Sequence, residues 1–169
     1  MDTVKVTESE AQARQEWSTP WKFFRAVEKL LRTRFTLDVC ASAENTKCAE
    51  FLARHDAALL AAWGVGQTCW CNPGFSNASP WFDKAIREAQ CGNSTVILTH
   101  ACTGARWFWE RRNYVERLYL VTPRVNFDPP SGVKRTGNTR DSMLSVITPA
   151  VLVIPREREL KISIWKWCD

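Results

Sequence analysis

The 169-residue chain is predicted to fold as an α/β protein built on a mainly parallel sheet with helices on both faces. Three observations point there. Short β-rich runs alternate with stretches of helical periodicity, the pattern of βαβ units. Pro and Gly stand at the ends of these runs, where a ladder cannot continue. Two of the ends also carry chemically unusual residues, at the place where α/β sheets bind ligands.

The elements follow in order. Residues 1–16 are polar, charged and aperiodic, and are read as a flexible arm ahead of a single domain over 17–169. Ser18-Thr19-Pro20 resembles a helix start, with capping hydroxyls and an early Pro. Trp21, Phe24, Val27, Glu28 and Leu31 then recur at roughly helical spacing. Phe35 to Cys40 reads as a strand ending in Ala41-Ser42. The Ala-rich stretch 46–62 is expected to be helical, closed by Gly64 and Gly66. Thr68 to Cys71 is a second strand, stopped by Asn72-Pro73-Gly74. A helix opens at Ser79-Pro80-Trp81 and runs to about Gln90. Ser94–Thr99, Arg117–Val121 and Met143–Ile147 are further strands, with a helix around Trp107-Phe108-Trp109. Val151 to Ile154 is expected to extend the sheet. Residues 123–141, rich in Pro, Gly, Asn, Arg and Lys, form a long loop.

Composition narrows the classes. No basic-then-apolar leader pattern opens the chain, and no apolar run has the length of a membrane span. The expectation is a soluble cytoplasmic protein with seven thiols, mostly buried and free. Cys69 and Cys71 have Cys40, Cys48 and His55 upstream but no C-x-x-C pair, so no metal site is expected. Their alternation fits one face of a strand. The net charge is +5. Residues 1–100 hold eleven Lys/Arg and eleven Asp/Glu, while residues 101–169 hold twelve against seven. The excess in the second half suits a polyanionic partner, and a merely solvated basic surface would give the same count.

Asn72-Pro73-Gly74-Phe75 carries the most specific chemistry. The Asn amide oxygen and the prolyl carbonyl are two acceptors in a defined relation, because the ring fixes the backbone. Phe75 adds an aromatic face. Two acceptors beside a flat face suit an exocyclic amine on a planar ring. An ordinary Pro-Gly turn would use the same residues.

Four segments in sequence order then resemble the phage-type DNA N6-adenine methyltransferases. Trp70-Cys71-Asn72-Pro73-Gly74-Phe75-Ser76, followed by Pro80-Trp81, is similar to that family's catalytic W-x-N-P-P-Y-S segment. Trp17-Ser18-Thr19-Pro20 resembles its opening W-x-T-P motif, and Leu37-Asp38-Val39-Cys40-Ala41 its L-D-V-C-A motif. Arg124-Val125-Asn126-Phe127 with the strand after Ser142 resembles its late segment. The likeness spans about residues 17–148. Gly74 departs from the family pattern, since it frees a backbone that a second Pro would stiffen. Phe75 departs less, keeping the stacking face and losing a hydroxyl.

The resemblance implies a Rossmann-like S-adenosylmethionine-dependent methyltransferase fold and transfer of a methyl group to adenine N6. It implies Asn72, Pro73 and Phe75 as catalytic residues, and Asp38, Thr19, Pro20 and Cys40 around the donor. Asp38 would meet the methionyl ammonium; as plain structure it would cap the next helix. Asp56 is a weaker candidate for the ribose or adenine of the donor. Double-stranded DNA is the implied partner of a monomer or weak dimer. Arg106, Lys134, Arg135 and Arg140, with Arg111 and Arg112 beside them, are candidate phosphate contacts. The same motif chemistry would also serve cytosine N4, an RNA base or a glutamine amide, and Gly74 leaves a silent DNA-binding form open.

Overall fold

The computed structural model describes residues 17–53, 56–74, 77–130, 137–152 and 160–167. The expected arm, residues 1–16, lies outside the described residues, as do Phe75, Lys134 and Arg135. The helices are α1 (Trp21–Leu31), α2 (Asp56–Leu60), α3 (Ser79–Ala89) and α4 (Arg106–Trp109). The strands are β1 (Leu37–Ala41), β2 (Glu50–Ala53), β3 (Thr68–Cys71), β4 (Ser94–His100), β5 (Arg117–Thr122), β6 (Ser142–Ile147) and β7 (Lys161–Lys166). They form one seven-stranded sheet in the order β2-β1-β3-β4-β6-β5-β7. The strand β6 runs antiparallel to both neighbours, and the other pairings are parallel. This is the mainly parallel sheet that the alternation of runs predicts.

Period-2 side-chain alternation divides the core into two layers. On one face Phe23, Phe24 and Val27 of α1 pack on Trp70, Val96, Leu98, Leu144 and Val146. On the other, Ala58 of α2, Phe82, Ala85 and Ala89 of α3 and Phe108 of α4 pack on Cys69, Cys71, Ile97, Met143 and Ile147. Helices thus cover both faces, and Cys69 and Cys71 share one of them. The cysteines of the described residues are free thiols. No helix among the described residues is long and apolar enough to cross a membrane.

Three expectations need correction. The start of α1 is not capped by hydroxyls: Pro20 is itself the N-cap residue, extended, and its carbonyl takes the Phe24 N–H at 3.0 Å. The Ser18 and Thr19 side chains are committed elsewhere. The stretch 46–62 is not one helix. The Lys47 N–H is drawn to Asp38 and the Cys48 N–H to the Thr46 hydroxyl, which holds this segment out of helical geometry. The residues that follow lie alongside β1 as the exposed edge strand β2, and only Asp56–Leu60 is helical. Finally, Val151 and Leu152 belong to a short 3-10 turn over Pro149–Leu152, with Val151 in the core, while residues 153–159 lie outside the described residues. The sheet is extended instead by β7, parallel to β5.

The loop between β5 and β6 is tied down at both ends. Asp128 and Ser18 exchange backbone hydrogen bonds of 2.8 and 2.9 Å. Asn138 donates to the Val125 carbonyl at 3.0 Å, and the Asp141 carbonyl accepts from the Ala101 N–H.

Glu28 anchors the far end of α1. Its buried carboxylate accepts the Phe35 N–H at 3.1 Å and guanidinium N–H groups of Arg25 and Arg34 at 2.6 and 2.7 Å. Burial pushes its pKa up, but Arg25, the Phe35 N–H and Arg34 outweigh burial and hold it below the ordinary 4.5. A carboxylate with a depressed folded-state pKa stabilises at neutral pH, and that contribution is lost as pH falls through the folded value. Glu28→Leu, which strands the Phe35 N–H, is expected to cost about 1–3 kcal/mol at neutral pH. Urea unfolding should show the difference shrinking as the wild-type carboxylate is protonated.

Candidate active site

The strand order changes direction between β1 and β3: β1 connects to β2 on one side, and β3 leads to β4 on the other. Open α/β sheets bind ligands at such a point, outside the carboxyl ends of the strands. Asp38 pairs with Trp70 across the two strands, so Cys40 and Asn72, each two residues further on, stand at that end. A narrow cleft there, about 10 Å³, is bounded by Thr19, Asp38, Cys40, Lys47 and Asn72. That volume holds about one water molecule.

Asn72 follows the last residue of β3 and is only 8% exposed. Its Nδ2 donates to the Thr19 hydroxyl at 3.1 Å, 53 residues away in the chain. This bond orients the amide, and its Oδ1 has no hydrogen-bond partner among the described residues. A buried amide oxygen without a partner costs free energy that an incoming donor would recover.

Asp38 is buried at 3% exposure. One carboxylate oxygen accepts the Cys40 N–H at 3.3 Å and the other the Lys47 N–H at 3.0 Å. Lys47, 8% exposed, sends its ammonium to the Ser18 Oγ at 2.7 Å and over the Trp21 ring, 4.8 Å from its centroid. Burial pushes the Lys47 pKa down, and the charge of Asp38 pulls it back up. On the protein side of β1 and β3, burial holds the Cys71 thiol well above its ordinary pKa, which keeps it an inert packing group.

A second cavity of about 160 Å³ opens at the same end of the sheet, past the segment that follows Asn72. Its wall includes Asn77 and Ser79 at the start of α3, Thr99 and His100 at the end of β4, and Trp107 of α4. Thr99 is buried, and its hydroxyl has no hydrogen-bond partner among the described residues. Burial lowers the His100 pKa, the charge of Arg140 lowers it further, and a backbone hydrogen bond at Asp141 opposes both.

Of the residues singled out by sequence, Thr19, Asp38, Cys40 and Asn72 come together around one cleft. Pro73 is buried next to Asn72. Pro20 is half-buried and stands at the start of α1, outside the cleft wall. Arg106 is 92% exposed and paired with Glu110 at 2.8 Å. Arg140 is exposed at the end of the long loop. Arg111 is occupied within the fold, since Asp83 holds it through two hydrogen bonds of 2.8 and 2.7 Å. The Arg112 guanidinium lies on the Trp109 ring at 3.5 Å. Phe75, Lys134, Arg135 and the Asp56 side chain lie outside the described residues. Sequence reasoning misses Lys47 and Thr99. Lys47 is a lone basic residue near the start of a stretch that reads as helical, and only its bond to Asp38 marks it.

The model of the DNA N-6-adenine-methyltransferase (Dam) family matches the chain over residues 6–164. The chain belongs to this family. A DNA N-6-adenine-methyltransferase of Haemophilus phage HP1 (strain HP1c1) is 33% identical over 136 residues, which is 79% of this family member and 78% of the phage protein. Among solved structures, a predicted O-methyltransferase from Agrobacterium tumefaciens is 12% identical and superposes with a TM-score of 0.35. That match covers 69% of this chain, which spans about half (52%) of the solved one. So loose a superposition carries nothing about the site. Of the residues that bound the β1/β3 cleft in this DNA adenine methyltransferase, Thr19, Asp38, Cys40 and Asn72 lie in the segments that resemble the family's motifs, and Lys47 lies outside them.

Proposed function

We propose that the enzyme takes its methyl group from S-adenosylmethionine and places it on an adenine flipped out of double-stranded DNA, in the cytoplasm of a host cell. The reaction is that of its family, methylation of adenine N6 in DNA. What carries the proposed site is Asn72: a buried amide held by Thr19, with an oxygen that lacks a partner among the described residues.

The residues of the cleft fit the amino-acid end of the donor. A buried carboxylate, Asp38, suits an ammonium group, and Thr19 and Cys40 border the remainder, with Pro20 setting the helix start that positions Thr19. The cleft is too narrow for a methionyl group as it stands, so its side chains must give way on binding. When bound, the donor supplies a methyl already activated by a sulfonium.

The chain's own residues then act on the amine. The N6 lone pair is delocalised into the purine, so the amine is a poor nucleophile. The Asn72 Oδ1 and the Pro73 carbonyl each accept one N6–H bond, which favours a more tetrahedral nitrogen and stabilises the charge that develops there. No strong base is needed beforehand, because the alkylated nitrogen is acidic enough to release its proton to water. A base stacked in a duplex cannot reach these acceptors, so it must be extruded. The 160 Å³ cavity beside the catalytic segment receives it, with the Thr99 hydroxyl and the Trp107 ring on its wall and Phe75 as stacking partner. Arg106 and Arg140, with Lys134 and Arg135 of the same basic half, contact phosphates. The exposed Arg106–Glu110 pair is weak enough to be exchanged for one.

The test is direct. Purified protein is incubated with methyl-labelled S-adenosylmethionine and adenine-containing duplex DNA, with single-stranded DNA and RNA in parallel, and the products are digested to nucleosides. Label in N6-methyldeoxyadenosine, strongest from the duplex, is the expected result. Label in N4-methylcytosine or RNA, or donor bound without turnover, overturns the reading.

A further inference from the structure

We propose that Lys47 and Asp38 form a clamp for an amino-acid zwitterion, Asp38 taking the α-ammonium and Lys47 the α-carboxylate of the methyl donor. This inference rests on the donor assignment above and extends it to a residue outside the family motifs.

The geometry supplies both halves. Asp38 and Lys47 are buried ionisable groups of opposite sign on the wall of one cleft. They are fixed relative to each other by backbone, because the Lys47 N–H is bonded to the Asp38 carboxylate at 3.0 Å. The turn between them is closed by the Asn45 side chain, which accepts the Ser42 N–H at 2.8 Å. The Lys47 ammonium is hydrogen-bonded to a neutral hydroxyl and set over an indole. A buried cation whose direct contacts are neutral has lost hydration that a hydroxyl, a ring and the nearby Asp38 repay only in part. An anionic ligand group completes the balance, and Ser18 is a partner that the ammonium can keep while it turns toward one. An α-amino acid carries its two charges one carbon apart, which suits two opposite side chains held on a single turn. A surface lysine would lack this placement, and a lysine serving only Asp38 would need no anchor on Ser18.

The experiment measures binding by calorimetry rather than turnover. S-adenosylhomocysteine is compared with its decarboxylated and its deaminated counterparts, on wild type, Lys47→Met and Lys47→Arg. Wild type should bind the decarboxylated ligand about 30-fold more weakly than the parent. Lys47→Met should bind those two alike, within about twofold, while still discriminating against the deaminated ligand through Asp38. Lys47→Arg should keep part of the preference for the carboxylate. If wild type binds parent and decarboxylated ligands equally, the clamp is wrong while the donor assignment stands. If Lys47→Met discriminates as strongly as wild type, the carboxylate is held elsewhere and the clamp is again wrong. If wild type binds none of the three, the donor assignment itself fails and takes the clamp with it. The wild-type comparison decides the matter even if Lys47→Met does not fold.

Discussion

Asn72→Ala is expected to lower kcat about 10²- to 10³-fold while donor affinity stays within about twofold of wild type. The variant deletes the acceptor whose oxygen lacks a partner among the described residues, and that loss is felt only when the amine of the base is present. It also removes the Nδ2 group that bonds the Thr19 hydroxyl. The Thr19 hydroxyl can then turn to water, so the structural cost is modest and should appear as a small drop in melting temperature. Single-turnover rates with duplex DNA, alongside calorimetric titration of the donor, separate the two effects. A variant that retains more than a tenth of the wild-type rate would remove Asn72 from the chemistry.

Asp38 should show the opposite division. Asp38→Asn is expected to weaken donor binding by about 100-fold or more, since it removes a buried charge facing a cationic group. An Asn there keeps an oxygen for one of the two N–H groups, from Cys40 and Lys47, that Asp38 now accepts. Stability should therefore fall less than affinity. Asp38→Ala strands both buried N–H groups and should cost about 1–3 kcal/mol for each in addition. The charge of Asp38 also supports the ammonium of Lys47 against burial, so either variant lowers the Lys47 pKa further. Donor affinity measured by calorimetry, set against urea unfolding of both variants, tests this. Equal losses of affinity and stability in Asp38→Asn would mean that Asp38 only holds the turn together.

The contrast between these residues explains what the sequence discloses. Thr68–Cys71 is read correctly because an alternating β-rich run is bounded by Gly66 and Pro73, and both boundaries are local. The carboxyl ends of β1 and β3 are legible for the same reason, and so are Asp38 and Asn72 as site candidates. The segment 46–53 is not, because its path is set by the bond between Asp38 and the Lys47 N–H across nine positions, which overrides the helical preference of its alanines. The strand β7 is a solvent-exposed edge with a burial pattern that no core periodicity marks. Thr99 is unreadable as a cavity residue: along the chain it is one more β-branched residue of β4, and only the fold brings it to line one cavity with Trp107 and Ser79. Arg111 looks like its basic neighbours in sequence, and only Asp83, 28 positions earlier, shows that it is spent inside the fold.

The paired backbone bonds between Ser18 and Asp128 have a thermodynamic corollary. Ser18 also steadies the Lys47 side chain, so one short strap joins the root of the basic segment to the β1/β3 cleft. Any ligand of that segment and any ligand of the cleft therefore share a mechanical element. Whatever factor a ligand on one side of this strap imposes on the affinity of a ligand on the other must be returned in equal measure.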